Sequence, residues 1–398
     1  MKEENSKKVD EILTRGVDEV IGVEDLKKDL ISGKTLRIKL GVDPTSPNIH
    51  LGRATQFLKL RDFQELGHKI IFIIGDFTGV IGDTSDKESE RPMLTSKEVK
   101  QNMKNYFKQV GKILNMRKVE KKYNSKWLKK LTYQDITEQA DQFSVADFIA
   151  RENIKKRLDS GKRVSLREVL YPLMQGYDSV VVKADMELGG TDQRFNILAG
   201  RKLQEHFRQK PQGIIMLDLI EGLDGRKMSS SWGNTINVAD EPNDMYGKVM
   251  SLKDDLMVKY FVSSTRISMD EVREIENGLK NNSLNPRDIK MRLAKEITTI
   301  YHGEKEAIKA EENFIQTFQK RGTPEDIEII KVDRGSPLVD VLLKNKIISS
   351  KNDFRRLVKE GAIKNTDNGE KITDPDFKIS ENSTFKIGKK RFLKIVVK

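Results

Sequence analysis

Apolar and polar residues alternate along Leu36-Arg37-Ile38-Lys39-Leu40, and this period of two predicts a strand over 35–41. Residues 53–66 then take helical spacing, and the apolar run from Lys69 to Gly75 predicts a second strand. Together they form a βαβ unit, in which a helix carries the chain between two parallel strands. The same rhythm returns as helix 166–178, strand Ser179 to Lys183, helix 192–207 and strand Gly213 to Leu219. Between the two halves, residues 95–165 show helical pattern and no strong strand, as an insertion would. Residues 6–34 predict short amphipathic helices broken at Gly16, and residues 240–330 are helical and highly charged. From about Ser336 two short helices (Pro337 to Lys346 and Lys351 to Glu360) precede strands; Ser350 with Asp353 caps the second, and Gly361 stops it. The expected fold class is α/β. A Rossmann-like parallel-sheet domain fills 1–235 with its insertion at about 95–165, an α-helical domain fills 236–330, and a small α+β domain fills 336–398.

Composition narrows the classes. The 398 residues suit two or three domains, and 36% hydrophobic residues suffice for packed cores. A mean hydropathy of −0.59, no membrane-length apolar run and no signal-peptide core at Met1-Lys2-Glu3 predict a soluble, cytoplasmic protein without membrane contact. With no cysteine and four scattered histidines (His50, His68, His206, His302), disulfides are excluded and a structural metal site is not expected. The net charge of +12 is unevenly placed. Residues 331–398 hold 17 basic residues against 9 acidic, and residues 100–130 hold 11 against Glu120 alone, leaving the remainder net acidic. Two separated basic regions suit a polyanion that touches the chain twice.

Two short loops carry the chemistry. Pro44-Thr45-Ser46-Pro47-Asn48-Ile49-His50-Leu51-Gly52-Arg53 joins the first strand to the first helix, and Lys227-Met228-Ser229-Ser230-Ser231 follows the last strand. A strand–loop–helix crossing aims backbone N–H groups and the positive end of the helix dipole at an anion. Gly52 permits close approach, and His50 and Arg53 stand where a phosphoryl group would gain charge. Tyr171, Gln175 and Asp178 are spaced by four and three, so they share one helical face.

These loops, with the basic C-terminal module, make the chain resemble a class I aminoacyl-tRNA synthetase, closest to the bacterial tyrosyl family, from about residue 10 to residue 398. The resemblance implies tyrosine activation by ATP, with Mg²⁺, to tyrosyl-adenylate and pyrophosphate, then transfer to the 3′ end of tRNA(Tyr) by a homodimer joined through the insertion. It implies an ATP site of Asp43, Thr45, His50, Gly52, Arg53, Gly190 and Asp192, closed by Lys227, Ser230 and Ser231, with Lys87 and Arg91 delivered to pyrophosphate by a mobile segment. It implies that Asp83, Tyr171 and Gln175 bind the substrate ammonium, Asp178 accepts a hydrogen bond from the substrate phenol, Gln193 faces the tyrosine, and Lys39 stands where many members place a phenol-contacting tyrosine. Lys351, Arg355, Arg356 and Lys359 become RNA contacts. The stripe Lys100, Lys104, Lys108 and Lys112 becomes a candidate surface for the tRNA acceptor arm.

Three positions depart from the common pattern: Arg53 replaces a second histidine, Ser230 replaces a lysine, and Lys39 replaces the tyrosine. They leave two alternatives open, the tryptophanyl relative and a catalytically weakened, synthetase-like RNA-binding protein.

Overall fold

A computed structural model describes residues 2–82, 94–319, 328–345, 347–367, 369–388 and 391–397. The chain forms two compact units, Met1–Glu311 and Glu312–Lys398.

The first unit is built on a six-stranded sheet in the order β1-β6-β5-β2-β3-β4, with strands β1 (Val17–Ile21), β2 (Arg37–Val42), β3 (Lys69–Ile74), β4 (Val119–Tyr123), β5 (Met186–Gly190) and β6 (Gly213–Leu217). All neighbours are parallel except β1, which runs antiparallel to β6. The chain progresses outward from β2 to β4, then restarts at β5 on the other side of β2. The C-terminal ends of β2 and β5 therefore flank a topological switch point, the crevice where open α/β sheets bind ligands. Ile70 to Ile74 of β3 are buried, as are Ile38, Leu40, Met186, Leu188 and Ile214 to Leu217, so both faces of the central strands are covered. Each such aliphatic side chain contributes about 1.5–3 kcal/mol on burial.

Six helices of this unit matter here: α1 (Lys2–Thr14), α2 (Val23–Ile31), α3 (Leu51–Glu65), α4 (Ser96–Val110), α5 (Leu166–Val182) and α6 (Arg194–His206). Five more lie between Pro242 and Phe314, and Asn285 and Pro286 are the N-cap and first residue of the helix Pro286–His302. The first βαβ unit matches the expectation closely. Three other expectations need correction. Residues 6–34 contain β1 as well as helices, because this short edge strand pairs with β6 and needs no face-to-face alternation of its own. The stretch 95–165 contains β4, whose Val-Glu-Lys-Lys-Tyr sequence looks too polar for a strand but sits at the sheet edge beside β3. Ser179 to Lys183 is no strand: its valines complete α5, which ends with Lys183 in the left-handed region at φ 50°, and the strand is 186–190.

The second unit is a four-stranded sheet, β7-β10-β9-β8, of β7 (Glu328–Val332), β8 (Ile363–Asn365), β9 (Ser383–Ile387) and β10 (Arg391–Val397), with helices α7 (Leu338–Lys344) and α8 (Lys351–Lys359). Leu338, Leu342, Phe354, Ile363, Phe385, Leu393 and Ile395 form its core. Ser350 caps α8 by accepting the Asp353 N–H, as its spacing predicts.

Candidate active site

At the switch point the ends of β2 and β5 open into a cavity of about 330 Å³. Its wall includes Asp43, Thr45, His50, Gly52, Arg53, Tyr171, Gln175, Asp178, Asp192, Gln193, Lys227, Ser230 and Ser231. Most of the site residues named from sequence thus converge on one space. Gly190 lies just behind this wall, where a Cβ would come 2.6 Å from Asp192 Oδ1. Asp83, Lys87 and Arg91 lie outside the described residues.

The two signature loops are tied together by backbone pairing. Leu51 N–H donates to the Ile236 carbonyl and Val238 N–H to the Ile49 carbonyl, both at 2.8 Å. Helix α4 clamps the first loop from outside: Asn102 Nδ2 donates to Pro44 O at 2.9 Å, and Gln109 both accepts from Ile49 N–H at 2.8 Å and donates to Pro47 O at 3.0 Å. In the second loop, Asn234 accepts the Ser229 N–H and donates to Asp224 and to Lys227 O. Met228 inserts its sulfur 3.3 Å from Gly52 N. Two of the first N–H groups of α3 are therefore already engaged, so the polar reach into the cavity comes from side chains more than from the expected bare helix end.

Charge is distributed unevenly among those side chains. Burial, aided by Arg53 and Lys227, pushes His50 down to about 3, so its imidazole is neutral at physiological pH and cannot neutralise a phosphate. Arg53 keeps its charge and donates to Tyr106 Oη at 3.1 Å and to Asp43 O at 3.4 Å. Lys227 Nζ pairs with Asp192 Oδ2 at 2.8 Å, joining the second loop to the turn after β5.

A continuous polar chain also lines the cavity. Trp127 Nε1 donates to Asp178 Oδ1 at 2.7 Å and Asn124 Nδ2 to Asp178 Oδ2 at 3.3 Å. The same Asn124 amide donates to Thr78 Oγ1 at 2.9 Å, Thr78 donates to Asp43 Oδ1 at 2.7 Å, and Tyr171 Oη donates to Asp43 Oδ2 at 2.8 Å. Gly75 makes room for it, since a Cβ there would fall 1.9 Å from Asp43 Oδ1. Burial raises the Asp178 carboxyl to about 7, against the opposing pull of Lys39, Trp127 and Asn124. Sequence reading missed Thr78, Asn124 and Trp127, which approach only because β3 and β4 are neighbours.

Lys39 is misplaced in the sequence reading. It is fully buried, absent from the cavity wall, and its ammonium is engaged by Gln175 O, Ser179 Oγ and Glu187. The four-lysine stripe also changes. Lys112 turns inward to Val238 O, whereas Lys97, Lys100, Lys104 and Lys108 are exposed on α4. In the second unit Lys351, Arg355, Arg356 and Lys359 are exposed on α8; Arg356 pairs with Asp353 and Glu360, and Lys351 with Asp340.

Among the described residues no group of three or more histidine or acidic side chains could hold a metal ion, and no helix is long and apolar enough to cross a membrane.

Comparison with known proteins agrees with this geometry. Residues 31–319 match the model of tRNA synthetases class I (W and Y), and residues 319–394 match the tyrosine–tRNA ligase SYY-like C-terminal domain. The chain is 44% identical over 400 residues to tyrosine–tRNA ligase 2 of Clostridium acetobutylicum, covering 98% of this chain and 100% of that one. It is 45% identical to the tyrosine–tRNA ligase of Carboxydothermus hydrogenoformans, covering 97% of each. A tyrosyl-tRNA synthetase from Archaeoglobus fulgidus complexed with L-tyrosine shares the fold at a TM-score of 0.61 and 22% identity, over 77% of this chain and 99% of that one. A C-terminally truncated mitochondrial tyrosyl-tRNA synthetase of Coccidioides posadasii shares it at 0.64 and 22%, over 78% and 95%. Cavity, topology and full-length similarity together place the chain in the class I tRNA synthetase family, on its tyrosine–tRNA ligase branch.

Proposed function

We propose that the cavity between β2 and β5 is where this chain activates tyrosine, with the phenol at Asp178 and the ATP between Arg53 and Lys227. Full-length identity of 42–45% to tyrosine–tRNA ligases fixes the reaction itself: the chain joins tyrosine to tRNA at the expense of ATP. The observation that carries the assignment is the polar chain from Trp127 through Asp178, Asn124 and Thr78 to Asp43 and Tyr171, which lines the same cavity as the Lys227–Asp192 pair.

The substrate carboxylate attacks the α-phosphate, forming the tyrosyl-adenylate and releasing pyrophosphate. A hydroxyl at the 3′ end of tRNA(Tyr) then attacks the activated carbonyl, and AMP leaves. No side chain forms a covalent bond in either step. Asp178 accepts a hydrogen bond from the phenol, and Tyr171, Gln175 and Asp83 face the ammonium, with Gln193 alongside. Asp192 and Gly190 take the ribose. Asp43 is a brace between Tyr171 and Thr78 more than a nucleotide ligand. Thr45, neutral His50 and Gly52 shape the phosphate end, and Ser230 and Ser231 close over it with Lys227. Arg53 brings the cation that the second loop lacks at Ser230, and Lys87 and Arg91 add theirs at the leaving pyrophosphate. Stabilisation by fixed cations and dipoles where charge develops is the main contribution of such a site. ATP enters as its magnesium complex, so that ion belongs to the substrate.

The remaining assignments have separate support. Residues 1–235 act as the catalytic part and 236–311 as the helical part of the first unit, and the second unit, which includes β7, acts as RNA-binding domain, where Arg355 and Lys359 have no acidic partner among the described residues. A homodimer forms through the insertion, where Tyr133, Val145 and Leu158 are 91%, 69% and 42% exposed, apolar side chains suited to a subunit contact. The protein works in the cytoplasm, with ATP and tRNA.

Replacing Asp178 by Asn tests the assignment. A pocket that buries an acceptor rejects phenylalanine because its binding leaves that acceptor unpaired, at a cost of about 1–3 kcal/mol and more for a charge. Asp178→Asn should lower the tyrosine-to-phenylalanine ratio of kcat/KM in pyrophosphate exchange by at least tenfold. An unchanged ratio would remove Asp178 from the phenol site.

A further inference from the structure

Lys39 and Glu187 face each other across adjacent strands, as register partners of β2 and β5. Their side chains are 0% and 1% exposed. Lys39 Nζ lies 2.9 Å from Glu187 Oε1, 2.9 Å from Gln175 O and 2.7 Å from Ser179 Oγ, so three contacts use its three protons. Glu187 is as fully engaged. Its Oε1 also accepts from Gln175 Nε2 at 3.3 Å, and its Oε2 accepts from Ser179 Oγ at 3.1 Å and Gln212 Nε2 at 2.5 Å. A buried ion pair adds little stability over apolar residues of similar volume, so stability alone does not account for this one.

Its position does. Gln175 and Glu187 reach the cavity wall, whereas Lys39 and Ser179 stand behind it. A carboxylate accepts hydrogen bonds and donates none. The Gln175 amide must therefore turn its nitrogen to Glu187, which leaves its oxygen for the cavity. An outward oxygen accepts a proton from a primary ammonium, and an outward nitrogen would repel it.

We propose that Lys39 and Glu187 form a positioning pair that locks the Gln175 amide with its oxygen toward the cavity, and so sets recognition of the substrate ammonium. Lys39 acts by holding Glu187 as an acceptor and never touches the phenol. The pair is a specificity element remote from the reacting atoms, and it rests on the reading of Gln175 as an ammonium ligand.

The test uses the full chain and two competitive inhibitors of tyrosine-dependent pyrophosphate exchange. Tyramine keeps the phenol and ammonium; 3-(4-hydroxyphenyl)propionate keeps the phenol and lacks the ammonium. In Lys39→Met/Glu187→Met, where no buried charge is left unpaired, the tyrosine KM and the tyramine Ki should each rise at least tenfold. Meanwhile kcat should stay within threefold, and the propionate Ki within twofold, of wild type. Glu187→Gln, which keeps the volume, should raise the ratio of tyramine Ki to propionate Ki at least threefold. The proposal is overturned if both variants keep the wild-type ratio, or if both inhibitors weaken together, as a merely structural role would give. Gln175→Ala separates the two levels. If it leaves tyramine binding intact, the underlying site assignment fails. If it weakens tyramine and the pair variants do not, the positioning role alone fails.

Discussion

Asp178 joins function and stability in one side chain. Its carboxyl is raised from an ordinary value of 3.8 to about 7 by burial. A raised carboxyl contributes stability that is complete below about pH 4 and is lost as pH rises through about 7, because the folded chain binds the proton more tightly than the unfolded one. Without tyrosine, Asp178→Asn should therefore raise Tm relative to wild type more at pH 8 than at pH 5; an equal difference at both would contradict the shift. If Asp178 accepts the hydrogen bond of the substrate phenol as proposed, the site gains its ionised acceptor as pH rises through about 7. His50 runs the other way, since a value lowered to about 3 leaves it neutral wherever the enzyme works. The spacing of Tyr171, Gln175 and Asp178 is legible along one helix. Asn124 and Trp127 are not, because they lie about fifty residues away from Asp178 in sequence and meet it only through the order of the strands. Lys39 was misjudged for a related reason: position along β2 shows which strand carries it, and not that Glu187 waits opposite on β5.

At the scale of elements, strands with clean alternation and helices with strong caps were readable from the chain. The first βαβ unit and α8 are of this kind. Edge strands were not, because β1 and β4 lack the two-sided apolar burial that marks β3. The valines at the end of α5 misled for the opposite reason, their strand preference being overridden by packing of α5 against α6. Helix α4 gives this scale its prediction. Its inner face holds the first signature loop, and Lys97, Lys100, Lys104 and Lys108 share its outer face with no acidic partner among the described residues. If this face meets the tRNA, changing all four to alanine should flatten the slope of log K against log salt by about 3–4, since each phosphate contact contributes about 0.7–0.9. An unchanged slope would assign the stripe to solvent.

The whole molecule divides into two compact units. The sheet of the first unit brings loops from opposite halves of its sequence to one cavity, lined by both acidic and cationic side chains. The second unit has its own core and a basic helix, α8, and its sequence match begins where that of the first ends. Charge placement foretold this division, since the basic excess of residues 331–398 lies in the second unit. Departures at Arg53 and Ser230 leave Arg53 and Lys227 as cations on the cavity wall. The most direct measurement is ATP–pyrophosphate exchange by the full chain with tyrosine, tryptophan and phenylalanine in turn. Rapid exchange with tyrosine, with tryptophan and phenylalanine near background, is the predicted result; no exchange with tyrosine, or an equal rate with tryptophan, would contradict it.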